Sequence, residues 1–362
     1  MKQNKLFQGG PLDSNVVSDE WPDLPFLRLS EWLGTDSMHV QAAGGNTSIK
    51  LGRTMWIKAS GRWLSDAGKQ DVFTPVDHGS MRKDFELGLY NDVSSYSGAK
   101  NNRPSIEASM HGMLAHRIVI HTHPIGIMPY LIQSDGKEKL SSLVSGLSCA
   151  WVDYARPGWP LTRRLLDSAT VTANVFFLAN HGLVVGANSC AEVLSIFEEI
   201  ERCVPHASRD LPPIESEKLK AFVTSGWRLP RSLEIHALGT DPITLSLLRQ
   251  GVLYPDQVVF LGRHIPRLSP GQTADEVWNT AQCSDNGPVA PLVVIPGVGV
   301  VVKDSISLAA EEMLLAHTRI LQRITPDSRI SSLASTDIDE LVSWDAEKYR
   351  QQLDAERRIA GA

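Results

Sequence analysis

From Phe176 to Val185 the chain is apolar except for Asn180-His181-Gly182 in the middle. Polar groups set inside a buried run are costly unless they find partners, so this stretch reads as a strand pair or a bent strand, and a ligand role for His181 would supply such a partner. A second apolar run, Arg117 to His121, reads as a buried strand and ends in His121-Thr122-His123-Pro124. Side chains two apart in a strand project from one face, and Pro124 stops strand pairing at that point. Both imidazoles therefore sit at a strand mouth, where they can reach one ion. Three histidines from separate strands, with a coordination position left open, make a common catalytic zinc site. Histidines at strand ends also serve as plain hydrogen-bonding groups, and the His-x-His pair by itself leaves that reading open.

The surrounding segments read as alternating helices and strands. Leu27 to Leu33 suits a short helix, Ala42-Ala43-Gly44-Gly45-Asn46 is a glycine-rich loop, and Thr47-Ser48-Ile49-Lys50 alternates like a strand. Thr54 to Ala59 is a further strand that ends in Ser60-Gly61, and Ile106, Met110, Met113 and Leu114 give the segment Ile106 to Ala115 helical spacing. Ala191 to Cys203 carries Val193, Leu194, Phe197 and Ile200 on one helical face. Residues 204 to 218 collect Pro, Ser and charges with no apolar period, which marks a domain boundary. The expected organisation is a loose arm over residues 1–24 anchored by Trp21, a metal-binding domain over 25–208, and an α/β domain over 209–362. The last ends in a charged amphipathic helix from Asp337 to Arg358, read as a solvated cap.

Within that later domain, Val298-Gly299-Val300-Val301-Val302 followed by a helix from Leu308 echoes His181-Gly182-Leu183-Val184-Val185 followed by a helix from Ala191, at an offset of 117 residues. Likewise Leu233-Glu234-Ile235-His236 is helix-like, and Gln257-Val258-Val259-Phe260-Leu261 reads as a strand after it. These are a degenerate internal copy or a chance recurrence of a common unit. In a real copy Val298 stands where His181 does, so the second domain binds no metal in the same way. Its histidines, His236, His264 and His317, are far apart in sequence, whereas Ala290 to Val302 is long enough for a buried strand with a glycine bend. Leu308 to Leu321 has the helical spacing to cover that strand. Gly297-Val298-Gly299 lacks the third glycine of a dinucleotide fingerprint.

Composition narrows the partners. A 42% hydrophobic and 21% charged chain is ordinary globular material, with no apolar stretch near the roughly 20 residues of a membrane helix. The N-terminal sequence lacks the apolar core of a secretion signal, and Cys149, Cys190, Cys203 and Cys283 include no Cys-x-x-Cys pair, so reduced cytoplasmic thiols are expected. A net charge of -6 offers no global attraction to nucleic acid or to anionic lipid. A small molecule is the expected partner.

Glu107 and His111 lie four apart on the helix expected just upstream of the histidine-bearing strand. A carboxylate beside a metal can act as general base, whereas an acid at a helix start is also favoured by the dipole alone. His111 reads as a core or supporting histidine rather than a fourth ligand. Three short loops, Gly44 to Ser48, Ala59-Ser60-Gly61 and Pro104-Ser105, carry freed backbone N–H groups and small hydroxyls, and together would make a phosphate cradle.

Gly44-Gly45-Asn46-Thr47-Ser48, Lys58-Ala59-Ser60-Gly61, Pro104-Ser105-Ile106-Glu107 with His111, His121-Thr122-His123-Pro124 and Asn180-His181-Gly182 together resemble the class II aldolase/adducin family in order and spacing, over residues 25 to 205. Tyr254-Pro255-Asp256 and Pro296-Gly297-Val298-Gly299 are similar to the later aldolase part of bifunctional rhamnulose-phosphate aldolase/dehydrogenase proteins; no dehydrogenase domain is expected here. The resemblance implies a three-layer α/β/α domain with a mixed, largely antiparallel sheet. It implies zinc, or another divalent metal, on His121, His123 and His181, and Glu107 as acid/base. Gly45, Asn46, Thr47, Ser60, Gly61 and Ser105 would hold the substrate phosphate, and Tyr154 corresponds to a tyrosine that aldolase relatives use as proton donor. The implied reaction is retro-aldol cleavage of a phosphorylated ketose, through an enediolate, to dihydroxyacetone phosphate and an aldehyde. Decarboxylation or dehydration of a related sugar acid or ketose is the alternative within the family, and an adducin-like scaffold that kept its metal is the non-catalytic one. Glu107, rather than aspartate, after Pro-Ser-Ile favours the aldolase branch. The family also implies a homo-oligomer, a tetramer or a dimer.

Overall fold

The computed structural model describes residues 21–69, 72–99, 102–169, 173–284, 289–343 and Leu353. The expected arm over 1–24 therefore lies outside the described residues up to position 20, and so does nearly all of the expected terminal helix beyond Ser343. Trp21 is described, and packs edge-on against Trp56 at 4.7 Å between ring centres.

Among the described residues, ten strands form two sheets: β1 (Asn46–Leu51), β2 (Thr54–Lys58), β3 (Phe73–Asp77), β4 (Ile118–Thr122), β5 (Cys149–Val152), β6 (Val175–Leu178), β7 (Gly182–Ala187), β8 (Trp227–Arg228), β9 (Leu292–Ile295) and β10 (Gly299–Lys303). The larger sheet runs β3-β2-β1-β4-β7-β6-β5 and the smaller β8-β10-β9. Every pairing is antiparallel except that of β5 with β6. The helices are α1 (Leu24–Thr35), α2 (His78–Glu86), α3 (Ala108–Met113), α4 (Met128–Leu131), α5 (Gly136–Leu143), α6 (Trp159–Ser168), α7 (Cys190–Cys203), α8 (Ser216–Lys220), α9 (Ala237–Thr240), α10 (Pro242–Leu247), α11 (Pro255–Leu261), α12 (Ala274–Ser284), α13 (Leu308–Leu321) and α14 (Ser335–Ser343).

The chain divides into two compact units. The first takes residues up to His123, then Val144–Leu178 and Gly182–Cys203; the second takes Pro124–Leu143, Ala179–His181 and everything from Val204. The seven-stranded sheet of the first unit is a central layer because strand alternation gives it two apolar faces. Val119, Phe176, Leu178 and Val184 pack with Met110 of α3 and Leu161 and Leu165 of α6. Met55, Ile57 and Val76 pack with Met81 of α2 on the same side. The opposite face is covered by α7, which buries Val193, Leu194, Phe197 and Ile200 against β4 and β7, and by α1. The result is the three-layer α/β/α arrangement that the family resemblance implied.

The second unit is a second α/β region. Its small sheet and α12 share an apolar cluster of Trp227, Ala274, Val293, Ile295 and Val301, with Val298 and Trp278 packed on it. Two expectations are corrected here. Gln257 to Leu261, read as a strand, lies in the helix α11, where Pro255 occupies the first turn and all seven residues are buried. A short run that is apolar after its first residue has no period to tell strand from helix, and a proline pre-set for a helix start decides it. The Leu308–Leu321 helix forms with those bounds, its start capped by Ser307 accepting from the Ala310 N–H, but it packs chiefly on α11. The small sheet is instead covered by α12 and α9.

Candidate metal centre

The site grows from the middle of the large sheet. β1 and β4 pair with Asn46 opposite His121, and β4 pairs with β7 with His121 opposite Val184. His121 is fully buried, and its Nδ1 lies 3.1 Å from the Leu183 carbonyl oxygen. A carbonyl only accepts, so this contact places the His121 proton on Nδ1 and leaves Nε2 without one. That Nε2 faces His123 Nε2 at 3.0 Å. His123 is itself fixed by its backbone: its N–H donates to His39 O at 3.0 Å, and its carbonyl accepts from Gln41 Nε2 at 3.2 Å.

β6 and β7 are joined by the three-residue turn 179–181, closed by the pairing of Leu178 with Gly182. Asn180 takes a left-handed φ of 54°, which asparagine tolerates better than most residues. Its backbone N–H donates to Leu131 O at 2.9 Å, and its side-chain Nδ2 donates to Leu253 O at 2.9 Å and to Ser331 O at 2.7 Å. This is the partner set that the polar corner required. His181 follows, and the ligand nitrogens of His121, His123 and His181 all lie within 4.8 Å of one another. Two nitrogens on a tetrahedral zinc stand about 3.3 Å apart, so the spacing and the neutral imidazole chemistry fit a divalent ion. Gly182 has to be glycine: a Cβ there would meet Thr122 O at 2.5 Å, His123 Cδ2 at 2.8 Å and His121 Cε1 at 3.0 Å.

Glu107 stands immediately before α3 as its N-cap residue, rather than inside the helix as its spacing suggested. It is buried, and Oε2 accepts from Asn46 Nδ2 at 2.7 Å and lies 3.5 Å from His121 Nε2. Asn46 Nδ2 also reaches Ser105 Oγ at 3.2 Å, and the Asn46 Oδ1 is buried without a hydrogen-bond partner. His111 turns away to Ser48 Oγ at 2.7 Å, and burial pushes its pKa down to about 3, so it is neutral.

The loops expected to form a cradle are partly brought together. Ser60 N–H donates to Arg103 O at 2.8 Å, Ala59 bridges Pro104, and Ser105 N–H donates to Lys58 O at 3.1 Å, so Ser60-Gly61 lies along Pro104-Ser105. Gly45 has φ 55°, and a Cβ there would stand 2.8 Å from His121 O. Thr47 goes elsewhere, because alternation in β1 turns it to the other face, where its hydroxyl lies 2.7 Å from Ser30 Oγ of α1. Tyr154 follows β5, which lies three strands along the sheet from β4. Sequence reasoning passed over Lys58 as a site residue. It is 2% exposed, and its Nζ donates to Ala43 O at 2.9 Å and Arg62 O at 2.7 Å, lashing the two glycine loops together. A lysine ending an otherwise apolar strand was the available signal.

Comparison with known proteins decides the family. The model of the Class II Aldolase and Adducin N-terminal domain matches residues 26–206, half of the chain. The chain belongs to the class II aldolase/adducin family. The uncharacterized oxidoreductase YuxG of Bacillus subtilis (strain 168) is 29% identical over 197 residues, which are 48% of this chain and 28% of that protein. The match thus spans well under half of that relative's length. Among solved structures, the N-terminal class II aldolase domain of a conserved Thermoplasma acidophilum protein is similar at 18% identity, covering 52% of this chain and 98% of that one with a TM-score of 0.44. A sugar-phosphate aldolase from Thermotoga maritima is similar at 14% identity, over 57% of this chain and 96% of that one, with a TM-score of 0.40. As a class II aldolase/adducin family member, the chain carries a three-histidine cluster able to hold a divalent metal. Among the described residues, no helix is long and apolar enough to cross a membrane.

Proposed function

We propose that this chain is a zinc-dependent aldehyde-lyase that cleaves a small phosphorylated ketose to dihydroxyacetone phosphate and an aldehyde. The observation that carries the reading is the convergence of three imidazole nitrogens within 4.8 Å, with the Glu107 carboxylate 3.5 Å from one of them. His121, His123 and His181 would hold the ion, which when bound acts as a Lewis acid on the hydroxy-ketone oxygens. The remaining work falls to side chains. In cleavage a proton leaves the hydroxyl on the carbon that becomes the aldehyde, the carbon–carbon bond breaks, and its electron pair stays with the ketone fragment, which then takes a proton at carbon.

Glu107 suits that carbon proton, since it is buried and Asn46 holds one of its oxygens at 2.7 Å, fixing the direction of the other. The backbone at Gly45 and Gly61 and the hydroxyls of Ser60 and Ser105 are the candidates for the phosphate, and Tyr154 for the proton at the aldehyde oxygen. Catalysis in a homo-oligomer, tetramer or dimer, in the cytoplasm completes the reading.

The test is a product assay. Zinc-loaded protein is offered a panel of ketose 1-phosphates and 3-oxo acid phosphates, and dihydroxyacetone phosphate is measured directly. Its release from at least one ketose 1-phosphate is expected. Carbon dioxide or a dehydrated product without cleavage would replace the lyase reading, and silence across the panel would favour a scaffold.

A further inference from the structure

The second unit contains a cavity of about 620 Å³ whose walls include Tyr130, Gln133, Lys139, Arg323, Thr325 and Ser328. That volume lies in the range of small-molecule sites, which are clefts or cavities with a few converging polar groups. The walls are fixed by backbone bonds. Ser134 N–H donates to Arg329 O at 2.9 Å, Ser331 N–H donates to Ile132 O at 2.9 Å, and Gln133 bridges Ile330.

Arg323 is the group left over. Its Nη1 donates to the Arg319 carbonyl at 2.8 Å, while its Nε is buried with no hydrogen-bond partner. Arg319 is already matched by both oxygens of Glu234, at 2.6 and 2.8 Å. No ion pair to Arg323 is found among the described residues. Burial, and then the Arg319 charge beside it, hold its pKa below the usual arginine value, with the nearby Glu234 carboxylate, already paired to Arg319, pulling weakly the other way. The other cation, Lys139, donates to Gln133 Oε1 at 2.8 Å and pairs with Asp135 at 3.0 Å. The carboxylate on the wall, Glu138, is exposed, as is Asp327 beside Thr325, so water screens both more than it screens Arg323. A half-buried guanidinium with no direct ion pair among the described residues, sharing a wall with a lysine and several hydroxyls, suits an anionic group that carries its own hydroxyls.

We propose that this cavity binds a small hydroxylated anion, a polyol phosphate or a polyol carboxylate, with Arg323 on the charged group and Lys139 beside it. The site is separate from the three histidines in composition, and its ligand needs no metal.

Calorimetric titration of the full chain, stripped of metal by a chelator, tests this with glycerol 3-phosphate, glycerate and uncharged glycerol. Saturable one-to-one binding of at least one anion, and none of glycerol, is expected; the tighter anion names the charged group. Arg323→Gln should weaken binding by about tenfold or more, the loss of one charge-assisted hydrogen bond, and Lys139→Gln should weaken it by a smaller factor. If Arg323→Gln does not fold, judged by circular dichroism, Lys139→Gln decides. Failure of both anions to saturate, or unchanged affinity in the folded variants, would overturn the proposal. Because no turnover is read, the outcome is independent of the lyase assignment.

Discussion

The hairpin β6–β7 and the hairpin β9–β10 are built alike. In the first, Leu178 pairs with Gly182 across three turn residues; in the second, Ile295 pairs with Gly299 across three. The middle turn residue has a left-handed φ in both, 54° at Asn180 and 76° at Gly297. A helix of 14 residues follows each, α7 and α13. The difference lies at the third turn position. His181 there joins His121 and His123, whereas Val298 packs on the apolar cluster of Trp227, Val293 and Val301. The partner strand differs as well: β4 offers five residues to β7, whereas β8 offers two to β10 and ends in no His-x-His. One backbone plan therefore serves a three-histidine cluster or an apolar core, and the strand beside it, with one turn residue, decides which.

The sharpest way to break this comparison is at Glu107, whose carboxylate lies 3.5 Å from His121 of the histidine cluster. Glu107→Gln keeps an oxygen for Asn46 and should leave metal content unchanged, yet lower turnover by about two to four powers of ten. An unchanged rate would move the acid/base role elsewhere.

Next in size is Gly182→Ala. The added methyl collides with the Thr122 carbonyl and the rings of His121 and His123, so thermal unfolding should show a loss of about 1–3 kcal/mol together with weaker metal binding. Gly299→Ala meets His236 Nδ1 at 2.7 Å and Leu219 Cδ2 at 2.9 Å, and should destabilise the fold without touching metal affinity. Equal effects of the two substitutions on the metal would erase the distinction between the hairpins.

The smallest effect concerns acid. Each unit buries a histidine outside the ligand set, His111 with its pKa at about 3 and His317 at about 4, both lowered first by burial. The unfolded chain takes up these protons near pH 6.5 and the folded one does not, so the stability they contribute is complete above pH 6.5 and is lost as pH falls toward 4. The slope is at most about 1.4 kcal/mol per pH unit for each group. His317→Asn should flatten the slope of urea stability between pH 6.5 and 4.5, and an unchanged slope would contradict the burial argument.

Much of this was legible in the sequence for reasons that the structure makes plain. The polar corner at Asn180-His181 stood out because a buried strand cannot carry it unpaired, and the observed hydrogen bonds to Leu131, Leu253 and Ser331 supply the pairing. The α13 bounds could be read from apolar spacing, and the structure adds the Ser307 cap. What escaped has equally physical causes. Gln257 to Leu261 is apolar at every position but the first and has no period to read. The separation of Thr47 from Asn46 is a consequence of strand alternation that the motif, read as a loop, concealed. The anchoring by Lys58 depends on two carbonyls distant in sequence, Ala43 and Arg62, that only folding brings to it.

The central claim is that His121, His123 and His181 hold one divalent ion that Val298 and its neighbours cannot. Elemental analysis of purified protein, wild type against His181→Ala and His121→Ala, reads it directly, with circular dichroism confirming that each variant is folded. The account predicts about one zinc-like ion per wild-type chain and almost none in either variant. Full metal occupancy in the folded variants would contradict it.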